Sequence, residues 1–127
     1  MSADLSPEEL LRVLSERLGL RFQTQDWGIL NSDPDRLEEF VRFYETTDLA
    51  PTQRYELGDL VLASANDALV KQELDENRLQ ELAAFIARNR ASLQTRIDYW
   101  AGLAGDSEFP IAGALKRLEH DPQSPAG

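Results

Sequence analysis

The sequence predicts an all-α protein, a single compact domain of five to six helices, on three observations. Helix-start signals recur along the chain, with Pro or acidic residues in the first turn. Apolar residues at helical spacing follow each of them. The 127 residues, 42% of them apolar, are enough for one core and too hydrophobic for an acidic disordered chain.

Ser6 offers a hydroxyl N-cap, Pro7 the first helical position, and Glu8 and Glu9 the acids that suit a positive dipole end. Leu10, Leu11, Val13, Leu14 and Leu18 form the stripe, and Gly19 stands where a helix stops. Residues 21–30 read as an ordered connection anchored by Phe22, Trp27 and Ile29, with room for a short extended piece. Asp33 and Pro34 open a second helix, with Asp35 and Glu38 in its first turn and Leu37, Phe40, Val41 and Tyr44 as its stripe. Thr46, Thr47 and Asp48 end it. Pro51 opens a third, whose stripe includes Tyr55, Leu57, Leu60, Val61, Leu62, Ala65, Ala68 and Leu69. Residues 60–65 are apolar or small almost all round, which suits a central helix packed on several sides. A strand competes for so short a run, but Pro51 and the small residues Ala63, Ser64, Ala65 and Ala68 favour helix.

Asp75, Glu76 and Asn77 open a fourth helix with Leu79, Leu82, Ala83 and Ile86 on one face. The phase runs on to Leu93, Ile97 and Trp100, so residues 76–103 are one long helix or two broken near Arg88–Arg90. Gly102 and Gly105 end the pattern. Pro110 opens a short last helix, with Ile111, Ala114, Leu115 and Leu118 inward and Lys116 and Arg117 at its C-terminal end. The domain spans residues 1–119, and residues 120–127, rich in Pro, Ser and Gly, form a flexible tail. No internal repeat is present.

Several function classes fall away. Cysteine is absent, which excludes disulfides, Cys-ligated zinc, iron–sulfur clusters and thiol nucleophiles. His120 is the one histidine and lies in the tail, so His-pair metal sites are excluded and a Ser-His-Asp triad is disfavoured. No EF-hand spacing, Glu-x-x-His pair, phosphate-binding glycine loop or G-x-S-x-G elbow occurs. The chain is therefore read as no enzyme, with no cofactor and no metal. The N-terminus lacks a basic start and an apolar run of signal-peptide length, and nothing approaches the roughly 20 apolar residues of a membrane span. A cytoplasmic protein without a membrane partner is expected.

Charge carries the most information about partners. The net charge is −10, with 13 Lys and Arg against 23 Asp and Glu, which argues against nucleic acid. Residues 31–59 hold eight acids and three bases, and residues 60–81 five acids and two bases, whereas residues 82–127 balance. Helix dipoles already account for Asp35, Glu38, Asp75 and Glu76, and solvation for many of the others. The sharper reading is an electrostatic face for a basic partner, which speeds association by steering. The candidate partner-binding residues are Asp35, Glu38, Glu39, Phe43, Glu45 and Asp59. Asn66 and Asp67 interrupt the most apolar helix and need either internal hydrogen-bond or ion-pair partners or a ligand. Of the adjacent pairs Phe43/Tyr44 and Tyr99/Trp100, one member each must be the more exposed, a composition found at interface hot spots.

Trp27-Gly28, the stretch Leu37-Glu38-Glu39-Phe40 with Tyr44, the run Tyr55 to Leu69, and Tyr99-Trp100 with Glu108-Phe109-Pro110-Ile111 carry a resemblance. Over about residues 20–118 the chain is similar to small acidic helical immunity proteins of bacteria, encoded beside polymorphic or contact-dependent toxins. These residues are of core type, so the likeness implies a class of function and no site residue. It implies stoichiometric inhibition of a cognate basic toxin domain, such as a nuclease, whose active site the inhibitor covers or distorts. The alternative is a helical adaptor or regulatory module that binds proteins without catalysis.

Overall fold

In the computed structural model, which describes residues 5–102 and 111, the start signals at Ser6, Asp33, Pro51 and Asp75 each open a helical segment. The elements are α1 (Pro7–Leu18), α2 (Trp27–Leu30), a 3₁₀ turn (Pro34–Arg36) running into α3 (Leu37–Thr46), α4 (Pro51–Val70), α5 (Glu76–Arg88) and α6 (Arg90–Ala101). The described residues thus form an all-α fold of six helices. None of these helices is long and apolar enough to cross a membrane.

The local chemistry follows the sequence closely. Ser6 and Glu9 make a capping box, each side chain bonding the other's backbone N–H at 3.1 and 2.9 Å. Gly19 ends α1 in the left-handed region at φ 67°. The Asp33 carboxylate accepts from the Asp35 N–H and starts the 3₁₀ turn. The long apolar phase after Glu76 resolves into two helices, broken at Asn89. Residues 21–30 contain no extended piece. Four of them form α2, too short to show a period in the sequence.

The fold is organised around α4. Every residue from Leu57 to Asn66 is buried, so this helix must be covered on all sides. α1, α2, α3, α6 and the 3₁₀ turn all pack on it. Trp27 of α2 fits into the layer between α1 and α4, and its indole N–H donates to Ser15 Oγ at 2.8 Å. Gly28 lets α2 approach closely. A Cβ there would lie 2.7 Å from Asp59 Oδ2 and 2.9 Å from the backbone nitrogen of Leu60.

The polar residues of α4 each fix a different neighbour. Gln53 donates to the Leu10 carbonyl of α1 at 3.0 Å while accepting from the Ala50 N–H. Ser64 Oγ accepts from the Asp33 N–H at 3.0 Å, and the half-buried Asp67 accepts from Ser32 Oγ. Buried Asn66 accepts from the Ile111 N–H at 3.1 Å. Asn66 and Asp67 are therefore held by hydrogen bonds within the fold.

Three stripe residues of the sequence reading and one anchor of the connection lie outside the core. Val13, Ile29, Tyr55 and Leu79 are exposed. They sit at the edges of their apolar arcs, where Ser15, Gly28, Asp59 and Phe85 take the inward places. Ile111 is buried as expected, while the rest of the last helix, His120 and the tail lie outside the described residues.

Candidate functional site

α3 carries most of the candidate residues because its periodicity separates two faces. Leu37, Phe40 and Tyr44 point into the core, which leaves Glu38, Glu39 and Glu45 exposed. Asp35 is exposed on the preceding turn, and Phe43 is half-buried under the Arg17 guanidinium, 5.1 Å from its ring centroid. Five of the six candidates thus lie along the 3₁₀ turn and α3, Glu38 and Glu45 towards α5 and Phe43 towards α1.

The sixth does not. Asp59 is only 7% exposed and lies in the interior between α4, α2 and α6. Its Oδ1 accepts from Arg96 Nη2 at 2.8 Å, Arg96 Nε at 3.1 Å and the Trp100 indole at 2.8 Å. It is the anchor of a buried ion pair and cannot meet a partner. Its place among the surface acids is corrected by the burial of α4 on every side.

The surface acids are also less free than their number implies. Glu39 is bidentate to Arg36, at 2.6 and 2.8 Å. Glu38 pairs with Arg78 of α5 at 3.2 Å. Glu45 is bidentate to Arg88 of α5, both bonds 2.9 Å, and accepts from Asn89 at 2.9 Å. The hydrogen bonds from Arg36 and Arg88 hold Glu39 and Glu45 below the usual carboxylate range, with burial opposing.

The Glu38–Arg78 and Glu45–Arg88 pairs bridge a groove of about 400 Å³ between α3 and α5. N-terminal Glu38 meets N-terminal Arg78 and C-terminal Glu45 meets C-terminal Arg88, so the two helices run in the same direction. Below the groove they meet through the edge-to-face rings of Tyr44 and Phe85, centroids 5.3 Å apart. Its lining is mixed: the acids Glu38, Glu45 and Glu81 face the cations Arg42, Arg78 and Arg88, and Leu37, Val41 and Leu82 lie beneath them. The α5 residues were missed by the sequence reading. Arg78 and Arg88 lie 40 and 43 residues from their partners, and only the outward phase of Arg78, Glu81 and Arg88 on α5 could have hinted at a charged wall.

A second polar assembly surrounds Arg96. Its guanidinium donates to the Tyr55 hydroxyl and lies 4.8 Å from the ring centroids of both Tyr55 and Tyr99. Tyr99 is 51% exposed while Trp100 is buried, and Phe43 is more exposed than Tyr44, as their adjacency required. Nearby, burial pushes the Glu56 carboxyl up from its ordinary value, and the charge of Asp59 adds to the effect while Arg96 opposes it.

Among the described residues no three His, Asp or Glu side chains converge where a metal ion could be held. Every buried side-chain nitrogen and oxygen among them has a hydrogen-bond partner. No family model, curated protein or solved structure matches this chain.

Two outcomes follow for stability. Asp59→Ala leaves the Arg96 charge stranded and is expected to cost about 3–5 kcal/mol in urea unfolding. Removing both partners together, as Asp59→Leu with Arg96→Met, is expected to cost much less. Glu56 binds a proton more readily folded than unfolded, so its contribution worsens as pH rises above the ordinary value of 4.5. Glu56→Gln should therefore raise the thermal midpoint near neutral pH and leave it unchanged at about pH 4. An equal effect at both pH values would show that the carboxyl is not strained by burial.

Proposed function

We infer that this chain is a non-catalytic, stoichiometric inhibitor of the bacterial immunity type, which neutralises a cognate basic toxin domain through the surface of α3. One observation carries the reading: Asp35, Glu38, Glu39 and Glu45 lie exposed along the 3₁₀ turn and α3 with half-buried Phe43 among them, and Glu38 and Glu45 line a groove, on a chain of net charge −10. The resemblance of the sequence to immunity proteins supports the class. Among the described residues the buried polar side chains are engaged in hydrogen bonds within the fold.

The mechanism divides between charge and shape. The acidic field draws in a basic domain, raising association towards ~10⁸ M⁻¹s⁻¹ at low ionic strength. Half-buried Phe43 then supplies desolvated contact, which sets how slowly the complex separates. A standard interface of about 1,600 Å² would cover the α3 surface and its surroundings. The inhibitor acts in the cytoplasm, meeting the toxin before its target does.

The test is co-expression with the product of the neighbouring gene, which the reading requires to be a toxin. Growth rescue and a one-to-one complex are expected. Asp35→Lys, Glu38→Lys and Glu39→Lys combined should slow association about tenfold or more at low salt, with the difference shrinking as salt rises. Failure to rescue, or unchanged association by the triple variant, would reject this surface as the inhibitory one.

A further inference from the structure

We infer that Tyr55, Asp59 and Tyr99 build a binding site selective for alkylguanidinium cations, which this chain fills with its own Arg96 and which takes a free alkylguanidinium ion when that side chain is cut back. The inference is independent of the inhibitor reading.

All three nitrogens of the Arg96 guanidinium are engaged. Nε and Nη2 donate to Asp59 Oδ1 at 3.1 and 2.8 Å, and Nη1 donates to the Tyr55 hydroxyl. The ring centroids of Tyr55 and Tyr99 both lie 4.8 Å from its central carbon. Asp59 is fixed in turn by the Trp100 indole, which donates to the same Oδ1 at 2.8 Å. Half-buried Glu56 adds a second negative charge, whose field reaches both Asp59 and Arg96.

These partners read shape as well as charge. A flat cation with its donors in one plane meets a carboxylate, a hydroxyl and aromatic rings at once, whereas an ammonium is compact and strongly hydrated. The recognising groups are carried by residues other than 96. Tyr55 and Asp59 stand one turn apart on α4, in the helix around which the fold is built, and Tyr99 is on α6. The site therefore persists when the Arg96 side chain is shortened. It also lies within reach of solvent, because Tyr55 and Tyr99 are both exposed.

Burial supplies the drive. The Asp59 side chain is only 9% exposed, so loss of Arg96 leaves a buried carboxylate without its counter-charge. A replacement cation removes that penalty and gains the ring contacts. In the unaltered chain the same recognition fastens α6 to α4 and makes the junction specific for arginine.

The experiment uses Arg96→Ala in the full chain, a change that keeps helix propensity and removes the guanidinium. Ethylguanidinium supplies the atoms that alanine lacks. Thermal unfolding is followed by circular dichroism with ethylguanidinium chloride, or ethylammonium chloride, at about 10 mM. Ethylguanidinium is expected to raise the midpoint of Arg96→Ala by about 3 °C or more above that in ethylammonium. The unaltered chain, whose site is filled, should gain nothing. Asp59→Leu with Arg96→Ala, which lacks the carboxylate, should gain nothing either. If Arg96→Ala is unfolded, ethylguanidinium is expected to restore its helical signal. Arg96→Lys, which keeps the charge, should still melt well below the unaltered chain. No gain or recovery, an equal gain from ethylammonium, an equal gain in the unaltered chain or the double variant, or full stability of Arg96→Lys would overturn the inference.

Discussion

Everything in this fold answers to a helix whose middle has no outside. From Leu57 to Asn66, α4 is buried at every position, so α1, α2, α3, α6 and the 3₁₀ turn exist in part as cover for it. Apolar burial supplies most of the drive but little of the direction. Direction comes from the polar side chains distributed around the helix. Gln53 engages α1, Asp59 engages α6, Ser64 and Asp67 hold the segment leading into α3, and Asn66 receives Ile111. A neighbour placed in the wrong register would leave one of these groups buried and unpaired, which costs more than the bond itself contributes.

The same economy shapes the surface. Arg12, Arg17, Arg36, Arg54 and Arg96 each lie over an aromatic ring, at 4.1 to 5.1 Å from the centroid. Their stems cover apolar surface and their charges stack inward on the rings or reach carbonyls, as Arg36 does at the C-terminus of α1. Positive charge is drawn against the body of the protein while many carboxylates remain at its edge. A negative outer field therefore arises even though several acids have partners. The acids on α3 then have two tasks, bracing α5 and facing the surroundings, and exposed ion pairs are weak enough to permit both.

How much of this was legible follows from periodicity. Where a helix has one wet face, as α1, α3 and α5 do, the spacing of leucines and aromatics identified most of its inward residues, Val13 and Leu79 excepted, and Ser6, Asp33 and Asp75 marked its beginning. Where a stretch of helix is wet nowhere, as from Leu57 to Asn66, the period vanishes. That is why Asp59 read as a surface acid: on α4 no phase distinguishes in from out, and the partners that internalise it, Arg96 and Trp100, are 37 and 41 residues away. The groove was hidden for the same reason of distance. Its α3 acids were visible as a charge run, but the basic residues of α5 that answer them belong to a segment whose overall charge is unremarkable. α2 went unseen because four residues contain barely one turn.

The account divides the molecule into a centre fixed by buried bonds and a wall, α5, joined to α3 at the surface by exposed bridges. Native-state hydrogen exchange measures that division directly. Amides of residues 57–66 should exchange only through global unfolding, whereas those of α5 should exchange through a smaller opening at lower free energy, made easier by salt. Exchange of α5 as slow as that of α4 and insensitive to salt, or exchange of α4 ahead of global unfolding, would contradict it.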